Sequence, residues 1–308
     1  MLRELEYEAP FLLEEQADYS VMGPVDDRFH IPARAKRPST LLFPTNTICF
    51  LEMAARDGRQ FTGSGTLIAP QVVLTAKHCL MDVHPARCAV RRAFDARRFF
   101  RSVRVTPGAD LRAPDSRRRQ PASPPSQVAG SGRLRVHPDL DFGVIILPVP
   151  FRKPDRFMML QPRSALMTAT LLTIAGYPCD KPRGTMWGHS GRIPLANITA
   201  THLQYTIDTC PGHSGSPIWL LGGREERLLL GIHTSGDPSG SPLSRCANDP
   251  LRRTCRPSGA PVTPVSSLNC GVRVTCQVID TIVSWCRAFG VQGPIIDRVQ
   301  YRRACATA

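Results

Sequence analysis

From Thr209 to Pro217 the chain reads Thr-Cys-Pro-Gly-His-Ser-Gly-Ser-Pro. Gly212 and Gly215 let the backbone turn sharply around Ser214 and let another molecule approach it. A serine hydroxyl is a weak nucleophile until a base takes its proton. The stretch therefore constrains the whole fold, because a histidine and a carboxylate have to be brought to it from elsewhere. Two upstream segments supply them. Val72-Val73-Leu74-Thr75-Ala76-Lys77-His78 is an apolar run that delivers a histidine to its own end. Asp141 stands at the mouth of a second apolar run, Phe142 to Leu147. A half-buried carboxylate there can hold the imidazole tautomer and stabilise the imidazolium. Each piece alone has a structural explanation: a glycine turn, a packed histidine, a turn or cap aspartate. Together, in an order in which this chemistry is known to occur, they assign His78, Asp141 and Ser214 as a catalytic triad.

Composition narrows the scaffold. A chain of 308 residues can bury one large core or two modest ones. Aromatics are 6% against 29 prolines and 23 glycines, which suits many short strands and turns better than a helical bundle. No apolar run approaches the roughly 18 residues of a membrane helix, so no membrane partner is expected. The net charge of +14 reads as a basic, solvated surface that attracts acidic substrates or anionic polymers. No nucleic-acid-binding motif accompanies it, so no nucleic-acid partner is expected. The eleven cysteines point to disulfides, an oxidising compartment and a secreted protein, with an odd one free or intermolecular. They form no Cys-x-x-Cys pair, so no zinc site is expected.

Along the chain, residues 1–20 are acidic and have neither the basic start nor the apolar core of a secretory signal. Strands are expected at 46–53, 62–68, 72–76, 143–147, 171–175, 186–192, 202–208, 217–221, 228–233 and 269–274. Residues 107–132, rich in Pro, Ser and Arg, read as a long surface loop. Residues 148–164 read as a crossing between two halves, and 237–269 as a turn-rich excursion held by Cys246 and Cys255. Thr275 is a helix cap, with Val278, Ile282 and Trp285 on one face of the helix that follows. His189 reads as a surface or wall residue. Residues 291–308 carry no pattern.

Several stretches carry a resemblance. They are Gly65-Thr66-Leu67-Ile68-Ala69-Pro70 with Leu74-Thr75-Ala76-Lys77-His78-Cys79, Gly176-Tyr177-Pro178 with Asp180-Lys181, Tyr205-Thr206-Ile207-Asp208-Thr209, and Gly231-Ile232-His233. Over about residues 20–290 the chain resembles the bacterial glutamyl endopeptidases, a branch of the chymotrypsin-like serine proteases. The resemblance implies an all-β fold of two antiparallel β-barrels with a C-terminal helix. The N-terminal barrel, 21–155, would carry His78 and Asp141. The C-terminal barrel, 156–290, would carry Ser214 and the specificity pocket, and 291–308 would be a tail. Ser20 to Arg28 resembles the family's mature amino terminus, so residues 1–20 are an acidic pro-segment of a zymogen, or else a disordered tail.

The resemblance also implies roles. The N–H groups of Gly212 and Ser214 form an oxyanion hole. Thr209, His233 and the new amino group, from Val21 or Ser20, contact a glutamate carboxylate. Thr234, Ser235 and Gly236 pair with the extended substrate. Its substrates are proteins or peptides, it works as a monomer, and it needs no metal or cofactor. The family places the disulfide partner of Cys79 near Gly63, so Cys49 or Cys88 substitutes here or Cys79 is free. His213 departs from the acid or amide found in relatives and is expected to face solvent. Otherwise it would add a titrating group near the oxyanion hole and alter the pH profile. Other readings are a protease of trypsin-like specificity, with Asp208 as its acidic residue, and a non-catalytic relative that binds peptides or anionic polymers.

Overall fold

Alternation of apolar side chains builds the molecule. In the computed structural model, which describes residues 26–34, 36, 39–81, 98–112, 125–162, 171–221, 227–236, 268–296 and 298–305, β2 (Ile48–Ala54) shows the pattern most clearly. Cys49, Leu51 and Met53 fill the interior of the first sheet, and Ile48 and Phe50 face a second core. β4 (Val72–Thr75) and β8 (Gly143–Ile146) divide in the same way: Val73 and Ile145 go to the first core, and Val72, Leu74, Val144 and Ile146 to the second. Strands buried on both faces read as continuous apolar runs, which is why these were legible.

The first sheet is antiparallel. Its order is β6 (Gln127–Gly130), β5 (Ser102–Pro107), β2, β3 (Gln60–Ala69), β4, β8 and β7 (Leu134–Val136). The second runs β1 (Phe29–Ile31), β11 (Met186–Gly191), β10 (Leu172–Gly176), β13 (Pro217–Leu221), β14 (Arg227–Gly236), β15 (Asn269–Arg273) and β12 (His202–Tyr205). β9 (Met159–Leu160) lies parallel on β14. This is the all-β, two-barrel architecture with a C-terminal helix that the sequence implied. Leu172, Ile174, Leu203, Ile218, Leu220, Leu228 and Leu230 fill the second sheet's own interior. Tyr177, Trp219, Leu229, Ile232 and Val272 share the middle core with the first sheet's outward residues. α1 (Cys276–Ala288) closes that core with Val278, Ile279, Ile282 and Cys286, and Thr275 caps it by accepting Val278 N–H at 3.3 Å. Trp285 reaches Phe142, the neighbour of Asp141, with ring centroids 5.7 Å apart.

Some expectations change. Residues 127–130 of the expected loop pair with β5 as a strand, because Ala129 is buried there; residues 113–124 lie outside the described residues. The strand expected over 202–208 stops at Tyr205, where the chain turns toward the serine loop. β1 pairs with β11, so the segment around Phe29 belongs to the second sheet although it precedes the first in sequence. The featureless tail contains α2 (Arg298–Cys305), stapled to the start of α1 by a Cys276–Cys305 disulfide. Cys270 is also disulfide-bonded. Cys49, Cys79, Cys179, Cys210 and Cys286 are free thiols, more than the single odd cysteine the count implied. The excursion held by Cys246 and Cys255 lies outside the described residues apart from its last two positions. No described helix is long and apolar enough to cross a membrane.

Leu51 is fully buried on β2, flanked by β3 and β5. Leu51→Ala should cost about 2–5 kcal/mol. In urea unfolding the midpoint should fall with an unchanged slope.

Candidate active site

β4 ends at Thr75, and the turn Lys77–Cys79 carries His78 out of the sheet. Asp141 sits at the head of β8, which pairs with β4, so strand register alone brings the two together. His78 Nδ1 lies 2.9 Å from Asp141 Oδ2, and His78 N–H donates to Asp141 Oδ1 at 3.1 Å. The buried Lys77 ammonium donates to the carbonyls of His137 (3.2 Å) and Pro138 (2.8 Å). His137 Nδ1 accepts the N–H groups of Asp139 (3.1 Å) and Leu140 (2.9 Å), which shapes the turn that presents Asp141. Burial disfavours an imidazolium at His78, but the Asp141 charge and hydrogen bond, with Cys79, outweigh it. The His78 pKa is held well above the ordinary histidine value.

In the serine loop every carbonyl from Cys210 to Ser214 is capped. Cys210 O accepts His213 N–H at 2.9 Å, and Pro211 O accepts Cys179 N–H at 2.7 Å. Gly212 O accepts the Ser64 hydroxyl at 2.7 Å, and His213 O accepts Ser216 N–H at 2.8 Å. Ser214 O accepts Ser64 N–H at 2.9 Å and the Cys79 thiol at 3.4 Å. Among the described residues, the N–H groups of Gly212 and Ser214 meet no protein acceptor. Gly212 has φ +96°, and a Cβ there would strike Tyr177 O. Gly215 has φ +88°, with Ser64 O and Thr75 Oγ1 in the way.

Ser64, missed in the sequence, also accepts Tyr177 N–H at 2.9 Å, and its carbonyl accepts the Thr75 hydroxyl at 2.7 Å. Its only signal was the small-residue run Gly63-Ser64-Gly65 within an apolar strand. Ser214 Oγ donates to Thr234 O at 3.4 Å and makes no hydrogen bond to His78. The two are nonetheless neighbours, because Cys79, next to His78, touches the Ser214 carbonyl. Triad contacts commonly loosen without substrate. The disulfide position near Gly63 is open: a Cβ built there lies 3.1 Å from the free Cys79 Sγ.

Beyond the loop, Thr209 is fully buried, and among the described residues its hydroxyl has no partner. His233 is buried on β14, and its Nδ1 lies 2.7 Å from the Tyr205 hydroxyl. Burial holds Tyr205 protonated, and burial with His213 and His78 nearby keeps His233 well below the ordinary histidine range. A neutral His233 that accepts Tyr205 O–H at Nδ1 carries its proton on Nε2. Tyr205 entered the sequence reading only as part of a resembling stretch.

His213 does not face solvent. It is fully buried because both ring nitrogens find backbone partners: Nδ1 accepts Cys210 N–H at 3.0 Å, and Nε2 lies 3.3 Å from Trp187 O. Its ring stands edge-on to His233, with centroids 6.5 Å apart. β14 bulges between His233 and Ser235, and its pairing to β13 stops at Ile232. The backbone of Thr234, Ser235 and Gly236 is thus free of β13 on one side while Ser235 and Gly236 pair with β15 on the other.

Val21 lies outside the described residues. The chain from Asp26 to Arg28 is pinned beside Thr209. Asp27 N–H donates to Asp208 Oδ2 at 3.0 Å, one residue from Thr209. The buried Arg28 guanidinium bridges Asp26 (Nε to Oδ1, 2.7 Å) and Asp180 (Nη1 to Oδ1, 3.0 Å). His189 Nδ1 accepts Asp208 N–H at 2.8 Å, so His189 shapes the wall ahead of Thr209.

Residues 49–247 match the family model described as Trypsin. The chain belongs to the trypsin family. Among curated trypsin-family relatives, a glutamyl endopeptidase of Bacillus licheniformis is 27% identical over 232 residues, 72% of this chain and 58% of that protein. A glutamyl endopeptidase of Staphylococcus aureus is 40% identical over 68 residues, 22% of this chain and 19% of its own. The matches thus span less than two thirds of these relatives' lengths. A solved structure of a Glu endopeptidase in complex with MPD is similar in fold, with a TM-score of 0.58 and 21% identity, covering 87% of this chain and 99% of that one.

Ser64→Ala would leave Gly212 O and Tyr177 N–H buried without partners. The expected loss is about 1–3 kcal/mol for each group left unsatisfied. Urea unfolding would measure it.

Proposed function

We propose that this trypsin-family chain is a serine endopeptidase that cleaves after glutamate and is made as a zymogen. The observation that carries the chemistry is the pairing of His78 with Asp141 at 2.9 Å beside a serine loop whose carbonyls are all bound. Ser214 attacks the peptide carbonyl. His78 Nε2 takes the serine proton and later gives it to the leaving amine, while Asp141 holds Nδ1–H. The N–H groups of Gly212 and Ser214 donate to the developing oxyanion, and such a donor is worth about 3–4 kcal/mol. Water then releases the acyl group.

The unpartnered Thr209 hydroxyl supports the glutamate pocket. A buried polar group without a partner costs stability unless a ligand satisfies it. His233 adds a second donor, since Tyr205 occupies its Nδ1 and leaves Nε2–H. Donors of this kind suit a carboxylate. Asp27 is bound next to Thr209, and the six residues from 21 to 26 span at most about 20 Å, so a new amino group at Val21 is within reach of the pocket. The one-sided backbone of Thr234, Ser235 and Gly236 suits an added substrate strand. Trypsin-like specificity fits less well, because the Asp208 carboxylate is buried and already accepts Asp27 N–H.

The test is a peptide library with cleavage sites read by mass spectrometry, for the chain trimmed to begin at Val21 and for the whole chain. Cuts after glutamate by the trimmed form alone are expected. Cuts after other residues would overturn the pocket. No cuts, with no labelling by a serine-directed phosphonate, would favour a binding protein. His233→Val should lower glutamate cleavage about 10- to 100-fold more than cleavage after other residues. Because the base must be neutral, kcat/KM should fall as pH drops through a value above about 6.5. Asp141→Asn should move that limb to lower pH and cost about ten-thousandfold in rate.

A further inference from the structure

The acyl-transfer reading leaves the fully buried His213 without a task. We propose that His213 is the positioning residue of the serine loop, holding the Gly212 and Ser214 N–H groups in place so that the loop is set without any new amino terminus. The proposal rests on the acyl-transfer reading and would give trimming a separate role, confined to the glutamate pocket.

The geometry is a closed clamp. Cys210 N–H donates to His213 Nδ1 at 3.0 Å, and His213 N–H donates to Cys210 O at 2.9 Å. Both backbone groups of Cys210 are thereby spent on His213, and Pro211 and Gly212 lie between them. With Nδ1 accepting, the ring proton is on Nε2 and points at Trp187 O, 3.3 Å away on β11. The side chain thus ties the loop to the second sheet. Between the two clamp bonds, Pro211 O and Gly212 O are held by Cys179 N–H and the Ser64 hydroxyl, which orient the intervening peptide alongside the clamp.

The ring does this uncharged. Burial pushes the His213 pKa down to about 4. The charged and titrating groups around it are Arg28, paired with Asp26 and Asp180, Lys181 over the Trp187 ring, Cys210 and His233. Arg28 adds to the downward shift and Asp180 opposes it. A carboxylate at this position would be a buried charge in need of a cation. A neutral imidazole whose two nitrogens are both bonded needs none, so no free amine is required to hold the loop.

Two measurements test this. The whole chain and the chain trimmed to begin at Val21 should react at equal rates with a small, neutral, serine-directed phosphonate and with a neutral ester, although only the trimmed form cleaves glutamyl peptides. Labelling of the trimmed form alone would overturn the proposal and leave the acyl-transfer reading standing. Labelling of neither would overturn both. In the trimmed form, His213→Ala should lower kcat for the ester about 100-fold with KM little changed. His213→Asn, whose Oδ1 can replace the Nδ1 acceptor, should recover at least about tenfold of that loss, and His213→Gln should recover less. Full activity in His213→Ala, or the same loss in all three variants, would overturn the proposal.

Discussion

A short loop rich in glycine has no core of its own, so its shape depends on where its carbonyl oxygens are bound. Here Ser64 supplies two of the answers, one from its backbone and one from its hydroxyl. It reaches out from β3, the strand beside the one that delivers His78. Its hydroxyl also receives Tyr177 N–H from the end of β10, and its carbonyl receives the Thr75 hydroxyl. One small side chain therefore links the first sheet, the second sheet and the loop. A buried polar hub of this kind either satisfies every member or destabilises the site it joins. The glycines around it follow from that crowding: a Cβ at Gly176 or Gly215 would occupy the space of Ser64 itself.

Much of this was legible from residue patterns. His78, Asp141 and Ser214 each stood at a strand end, and β4–β8 pairing brings the first two together without any help from loops. The cap at Thr275 was equally local, since one hydroxyl and one N–H decide it. What escaped notice depended on distant partners. β6 is four residues, Gln-Val-Ala-Gly, with one buried side chain and no apolar period to detect. β1 is three residues whose register is set by β11, more than 150 positions later. β5 carried a Val103, Val105 alternation, but its arginine-rich surroundings hid it and no strand was expected there. His213 sits among Gly, Ser and Pro, which is loop chemistry, and its burial is decided by a carbonyl on β11.

The proposed pocket combines two opposite uses of burial. At His78, a neighbouring carboxylate overrides burial and raises the pKa; at His213 and His233 no carboxylate is hydrogen-bonded to the ring and burial wins. Three histidines close together thus differ in proton affinity for reasons that residue type alone does not reveal. The two depressed rings then behave as fixed dipoles, with tautomers set by Cys210, Trp187 and Tyr205.

The free thiol of Cys79 has a consequence for the chain's evolutionary neighbourhood. Its sulfur lies 3.1 Å from where a Cβ at Gly63 would stand, close to the roughly 3 Å between Cβ and the opposite sulfur in a disulfide. One substitution, Gly63→Cys, would therefore set a covalent brace under the serine loop. The loop as built does without it. Backbone and hydroxyl hydrogen bonds, joined by one thiol donor, do the bracing, and all of them except the thiol contact are indifferent to redox potential. The bracing of the serine loop therefore does not depend on an oxidising environment.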